Sequence, residues 1–472
     1  MRIAQKPLSR RQMSRIVSVS APVAGINARD PIAKLKPDEA ITLTNMFCTP
    51  YEVTVRKGYS NQATGFSDEV NTLASYSPNL ATASKLFAWS GEGVYDVSTP
   101  GAIGTPVISG NTSSTFQTVN FGTGGGIFLI AASGSDLPLV YNGTVWTNTF
   151  SAAFTTTVTS VTSLGTLATV TMSVAHNLKT GMSITMAGFT PAGYNGTYVI
   201  TVTGATTFTY VLSGALGVVT VTGTATPPLN LTITGVNPAL LIQPAIFKSR
   251  LWFVEKESMR VWYMPALSIG GAAQSIDFSS LFTLGGYLMA MADWSLDAGY
   301  GIDDYAVFIS SNGQVAVYKG TDPASAATWS LVGVYDLGAP IGRRCFQKYA
   351  GDLTLISQDG LVTLSKALMS TRVNTTASLT DKVQHLISNY IATNNSLPGW
   401  QTVLYPQRNM LFINVPTSAT TSIQFVTNTI SGAWSTFSGW NAFCWVLHQD
   451  NIYFGGSTTV EKAWDTFSDN GT

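Results

Sequence analysis

Apolar residues along this chain gather in short runs that end at glycine, asparagine or aspartate, and seldom recur at helical spacing. Lys85-Leu-Phe-Ala-Trp89 runs into a Gly91/Gly93 turn and then Val94-Tyr-Asp-Val97. The same strand–turn–strand unit returns at Phe128–Ala131 with Leu139–Trp146, at Arg250–Val254 with Arg260–Met264, and at Tyr305–Ser311 with Gln314–Lys319. Leu353–Ser357 with Leu361–Leu364 repeats it, and Met410–Val415 and Asn451–Phe454 close the series. Asn312-Gly313 and Asp359-Gly360 supply the positive φ that a tight hairpin needs. A hairpin cannot bury its own apolar face, but many similar hairpins stacked radially as blades can. The pattern therefore predicts an all-β fold: a β-propeller-like main body with few short helices.

Two helices are expected. Pro37-Asp38-Glu39 suits a helix start, with Ala40, Leu43 and Phe47 on one stripe. A second helix is expected near 380–393, where Val383, Leu386, Ile387, Tyr390 and Ile391 share a face and Ser378 or Thr380 caps the start.

Residues 155–226 change character. Threonine dominates, and Lys179 is the only charged residue. The runs Ala168–Met172, Met182–Met186, Tyr198–Val202, Phe208–Leu212 and Val218–Val221 read as short strands, with Asn195-Gly196 as a hairpin turn. This segment is expected to be a small β-barrel inserted in a blade loop. The organisation is then a basic arm (1–20), an N-terminal segment with the first blades (21–154), the insertion (155–226) and the remaining blades (227–472). About 40–50 residues per blade give roughly six or seven blades.

Composition narrows the function classes. Charged residues are 11% of the chain and the net charge is zero, against about 25% charged in an ordinary domain. No global attraction to nucleic acid is expected. Low charge with abundant Thr and Gly suits extracellular or virion β proteins, and also subunits that hide surface in an assembly. Cys48, Cys345 and Cys444 are far apart and odd in number, which predicts reduced thiols and no disulfide framework. Neither a signal peptide's apolar stretch nor a run of about 20 apolar residues is present, so membrane insertion is not expected.

The candidate chemistry is thin. Gly122–Gly126 leads into a strand and no lysine follows, so it reads as a turn and not a phosphate cradle. His176, His385 and His448 lie in three separate units without ligand spacing, so no metal or cofactor is expected. Asp303 and Asp304 point to opposite strand faces and make a poor acid–base pair. Trp434 and Trp440 read as blade core. No catalytic residue is predicted, and the chain is read as a non-enzyme. The charged candidates are assembly contacts: Arg10, Arg11 and Arg15 in the basic arm, facing an adaptor or DNA phosphate, and Arg343 and Arg344 after the Gly338–Gly342 turn, facing a neighbouring subunit.

Longer motifs carry a resemblance. Ser310–Pro323, Trp329–Tyr335, Gly338–Arg344 and Gly351–Lys366 resemble the tail nozzle (hub, or packaged DNA stabilisation) proteins of short-tailed bacteriophages. So do Gly399-Trp-Gln401, Tyr405-Pro406, Asn409–Pro416, Asn428 through Gly432–Trp434, Ser438–Trp440, Ala21–Asp30 and Lys57–Tyr59. The resemblance covers nearly the whole chain outside 155–226. It implies a virion tail protein, made in the host bacterial cytoplasm, that forms a homo-hexameric ring below the portal and the tail adaptor. That ring surrounds the double-stranded DNA exit channel, retains packaged DNA and gates its ejection. Tail fibres or tailspikes and the tail needle are further expected partners. A near-neutral lumen is expected, because strong phosphate contacts would retard ejection. Related chains usually continue through further strands beyond Trp464–Thr472, so the sequence does not show how the last sheet closes. Ala175–Met182, Tyr194–Tyr198 and Thr206–Phe208 resemble a small accessory β-barrel of phage structural proteins. The alternative from another class is a glycan-binding or glycan-cleaving β-propeller used in host attachment.

Overall fold

The computed structural model describes residues 18–297, 302–368 and 378–471. Among them, seven antiparallel sheets of three or four consecutive strands follow one another along the chain, here called blades 1–7. Blade 1 is Val70–Tyr76, Lys85–Ser90 and Gly93–Asp96. Blade 2 is Gln117–Thr123, Gly126–Ala132, Leu139–Tyr141 and Trp146–Phe150. Blade 3 is Leu241–Phe247, Arg250–Glu255, Arg260–Tyr263 and Gln274–Asp277. Blade 4 is Leu288–Asp297, Ile302–Ser310, Gln314–Gly320 and Trp329–Asp336. Blade 5 is Phe346–Tyr349, Asp352–Ser357 and Gly360–Thr363. Blade 6 is Gln401–Tyr405, Met410–Pro416, Ser422–Asn428 and Trp434–Ser438. Blade 7 begins with Cys444–His448, Asn451–Gly455 and Thr459–Ala463.

The blades form a ring. Leading strands of successive blades pack side by side from blade 1 to blade 4 and from blade 5 round to blade 1. The leading strand of blade 4 packs on the second strand of blade 5, completing the circuit. The fourth strand of blade 7 comes from the other end of the chain: Tyr59–Thr64 pairs antiparallel with Thr459–Ala463. That pairing closes the last sheet. Arg56 then fastens the C-terminal segment, with Nη1 and Nη2 donating to both carboxylate oxygens of Asp469 at 2.8 and 2.6 Å. The protein is an all-β, seven-bladed propeller.

Second strands explain the sequence pattern. Those of blades 2, 3, 5, 6 and 7 are buried almost throughout, on both faces. A strand covered on both sides reads as a continuous apolar run, not an alternation. Aromatic rings fill the space between sheets, as where Trp252 of blade 3 stacks on Trp329 of blade 4 at 5.8 Å.

Three local expectations are corrected. Glu39–Ala40 is a strand paired with Gly25–Ile26 on the edge of blade 6, not a helix start. Glu39 is held there by the backbone N–H of Lys36, by Asn27 Nδ2 and by Lys382 Nζ. The helix expected near 380–393 spans Gln384–Asn394 and buries Ile387 and Ile391, but no side chain caps it. Thr380 Oγ1 instead donates to Gln384 Oε1 and accepts from Leu361 N. In the insertion, Asn195-Gly196 lies at the start of the strand Gly196–Val199, after a 3-10 turn, and Val218–Val221 gives way to Thr224–Thr226 as the last strand.

The inserted segment leaves blade 2 after Trp146–Phe150. The chain returns along Leu231–Thr234, which pairs parallel with that same strand. Between them lie two small sheets. One is Val158–Leu164, Leu167–Met172, Thr207–Val211 and Thr201–Val202; the other is Gly196–Val199, Ser183–Ala187 and Thr224–Thr226. Their core, with Met182, Tyr194 and Phe208, is continuous with the core under Trp89, Phe116 and Trp146 of blades 1 and 2.

Candidate functional site in the axial channel

The seven leading strands surround an axis, and their polar side chains stitch neighbours together. In blade 3, Gln243 donates through Nε2 to Met291 O of blade 4 and accepts from Met291 N through Oε1, both at 2.8 Å. Gln401 of blade 6 does the same to Trp445 of blade 7, at 3.1 Å on each side. A glutamine amide carries one donor side and one acceptor side, so it substitutes for a strand neighbour where the blades splay. Thr72 of blade 1 performs both roles with its hydroxyl, accepting from Phe116 N at 2.8 Å and donating to the carbonyls of Ser114 and Phe116. Between blades 7 and 1, Cys444 Sγ donates to Val70 O.

Arg343 and Arg344, on the loop from blade 4 to blade 5, enter this channel. They do not face outward as expected of assembly contacts. Arg343 Nη1 donates to Met289 O at 2.7 Å, and the guanidinium lies over the Tyr287 ring, 5.4 Å from its centroid. Arg344 reaches across the axis, its Nη2 donating to Asn71 O at 3.0 Å and Phe116 O at 3.3 Å. Burial pushes both guanidinium groups below the ordinary arginine value, with Tyr287, Cys345 and Glu257 pulling Arg343 partly back. Both side chains are half-buried by exposure, which fits groups crowded by protein yet open to a solvent-filled channel.

The two arginines border two cavities. One, of about 330 Å³, is also lined by Lys256 from the hairpin of blade 3, Gln117 of blade 2, and Trp400 and Phe443 from the loops around blade 6. The other, of about 260 Å³, is lined by leading strands of blades 1, 2, 3, 5, 6 and 7. Lys256, Trp400 and Phe443 were not singled out from sequence; their only signal is a charged turn or a loop aromatic.

No protein-family model matches the chain, and no curated protein does. Solved structures that align with most of the chain do so at 9–10% identity. Apo AztD from Citrobacter koseri has a TM-score of 0.33, over 84% of this chain and 90% of that one. YCF48 from Cyanidioschyzon merolae has 0.31, over 86% and 98%. The β-propeller domain of Myceliophteria thermophila Cps50 (Swd1) has 0.31, over 86% and 100%. At these values they transfer no activity and no partner, and the propeller rests on the strand order described above.

The other sequence candidates fall into structural roles. Arg10, Arg11 and Arg15 lie outside the described residues. All three cysteines are free and buried; burial pushes the thiols of Cys48 and Cys444 up to about 11 and that of Cys345 up to about 12. Such thiols are inert. His176 Nδ1 accepts from Leu178 N at 3.0 Å, His448 Nδ1 bonds Ser75 Oγ at 2.8 Å, and His385 is exposed on its helix. Asp304 is engaged by Lys248 and Ser295. Gly122–Gly126 forms the hairpin turn of blade 2. Trp434 and Trp440 are buried core. Among the described residues, no group of three His, Cys, Asp or Glu is placed to hold a metal ion, and no helix is long and apolar enough to cross a membrane.

Proposed function

We propose that this chain is a structural virion protein, a wedge of the tail nozzle ring of a short-tailed bacteriophage, without catalytic activity. The observation that carries the reading is the run of motifs from Ser310 to Lys366 and from Gly399 to Trp440, which resemble that family. They map onto blades 4, 5 and 6 and their loops. The propeller supports a load-bearing role. Its ring is closed by pairing of Tyr59–Thr64 with Thr459–Ala463, and neighbouring blades are tied by side-chain-to-backbone bonds around the axis. In this reading six copies surround the DNA, below a tail adaptor, with fibres, tailspikes and needle as further partners. The axis of a single propeller is not the DNA path. Its cavities are a few hundred Å³ and both border the two arginines, whereas the major groove of a duplex alone is about 12 Å wide. In this reading the lumen lies between copies.

The alternative of a glycan-attachment propeller called for exposed aromatic platforms. Trp434 and Trp440, at 2% and 1% exposure, are not such platforms.

Cryo-electron microscopy of the protein in assembled tails, classified for rotational symmetry, tests the proposal. A six-fold ring around a duplex-width channel is the expected result. A monomer or trimer on the particle would overturn it.

A further inference from the structure

The larger axial cavity has an unusual charge balance for a chain with so few charges. Among the described residues, Lys256, Arg343 and Arg344 all border it, and no aspartate or glutamate does. Among the described residues none of the three takes part in an ion pair, although about half of the other charged side chains do. Lys256 Nζ donates only to Ser135 Oγ, at 3.2 Å. Arg344 uses Nη2 for backbone carbonyls and the Thr72 hydroxyl, which leaves Nε and Nη1 without a protein acceptor. Arg343 uses Nη1 alone. Glu257, the one carboxylate that bears on Arg343 electrostatically, is exposed and does not line the cavity.

Adjacent arginines crowded by protein without a carboxylate repel each other and lose hydration, a combination that stabilises the fold only when something supplies the missing negative charge. Free guanidinium N–H groups in fork geometry match the paired oxygens of carboxylate or phosphate. Opposite them, Trp400 and Phe443 give the cavity an apolar wall. A concave site with a few convergent polar groups and apolar lining is the usual form of a small-molecule pocket.

We propose that this cavity is a binding site for a small oxyanion-bearing ligand, a carboxylate or phosphate group held by Arg343, Arg344 and Lys256 with the rest of the molecule against Trp400 and Phe443. This does not depend on the nozzle reading, because it concerns the axis of one propeller and not the ring between copies.

The test is calorimetric titration of the full chain in a buffer free of carboxylate and phosphate, with inorganic phosphate and with glucuronate as separate probes. The expected result is saturable 1:1 binding of at least one probe with Kd on the order of 1 mM or tighter. Binding of phosphate alone assigns the site to phosphate groups; binding of glucuronate alone assigns it to carboxylates backed by the aromatic wall. Lys256→Met is expected to weaken binding about tenfold, while Lys462→Met, whose lysine pairs with Asp465 in blade 7, leaves it unchanged. Arg344→Gln is expected to abolish binding; should that variant fail to fold, Lys256→Met decides. Absence of saturable binding by either probe, or equal affinity in Lys256→Met and wild type, overturns the proposal.

Discussion

In the inserted barrel a single charge is matched by a carboxylate; in the axial channel three charges meet only neutral partners. Lys179, the one charged residue between 155 and 226, donates to Asp136 Oδ1 of blade 2 at 2.9 Å and to Gly110 O at 2.8 Å. Asp136 also accepts from the backbone and hydroxyl of Thr112, from Ser113 N and from Ser133 Oγ. Both side chains are nearly removed from solvent, at 11% and 4% exposure. Desolvation alone would raise the Asp136 carboxyl, but Lys179 and the Thr112 donors outweigh it and hold the group below the usual range. Arg343 and Arg344 are half-buried and meet carbonyls, a hydroxyl and the Tyr287 ring, but no carboxylate. A matched buried charge fixes one geometry, here the seating of the insertion on blades 1 and 2. An unmatched one leaves a vacancy that only a ligand or solvent fills.

Breaking the matched pair should have the largest effect. Asp136→Ala leaves Lys179 buried and uncompensated, and a loss of about 3–5 kcal/mol is expected by chemical denaturation. Asp136→Leu combined with Lys179→Met should recover much of it, because a well-packed apolar pair often matches a buried ion pair. Next comes the seam itself. Gly181 has φ of +96°, and an added Cβ would lie 2.1 Å from Val107 O of the body. Gly181→Ala should cost about 1–3 kcal/mol from backbone strain alone, and more from the clash. Gly165→Ala, at φ of +63° with open space around it, serves as the control that shows strain without clash in the same thermal melts. On the channel side, Arg344→Met removes hydrogen bonds but also an unpaired charge. It should fall within about 1 kcal/mol of wild type in anion-free buffer, a much smaller loss than Asp136→Ala.

The smallest effect is in pH. Burial pushes His176, inside the insertion, and His448, in blade 7, below the usual histidine value. Depressed histidines favour the neutral form in the folded state, so the unfolded chain binds more protons between the two values. Their contribution is complete above about pH 6.5 and is lost as pH falls through the folded values. Melting temperature should decline between pH 7 and pH 5, and His448→Gln should flatten part of that slope.

The sequence was most readable where a strand is buried on both faces. Each of the seven hairpins or single runs noted in the sequence is the second strand of a blade, or its second and third together, such as Arg250–Glu255 with Arg260–Tyr263. Leading strands escaped notice because they turn polar side chains, such as Thr72, Gln243 and Gln401, toward the backbone of the next blade. That interrupts the apolar run. Closure of blade 7 was hidden for a different reason: Tyr-Ser-Asn-Gln-Ala-Thr, at 59–64, carries little strand signal until Thr459–Ala463 lies beside it. The isolation of Lys179 was visible as composition, but its partner Asp136 lies outside the insertion, and only the docked geometry joins them. Arg343 and Arg344 stood out as a charged pair. Their direction depended on a loop whose path is set by two blades.

The pairing of Tyr59–Thr64 with Thr459–Ala463 also governs birth order. At about 5–20 residues per second, the ribosome makes the later strand roughly 20–80 s after the earlier one. Until then the early strand has only the two-residue strand Gly101–Ala102 beside it, and a polypeptide cut short before residue 459 never acquires its blade 7 partner. Ring closure thus waits on translation: only chains read past residue 463 complete the last sheet.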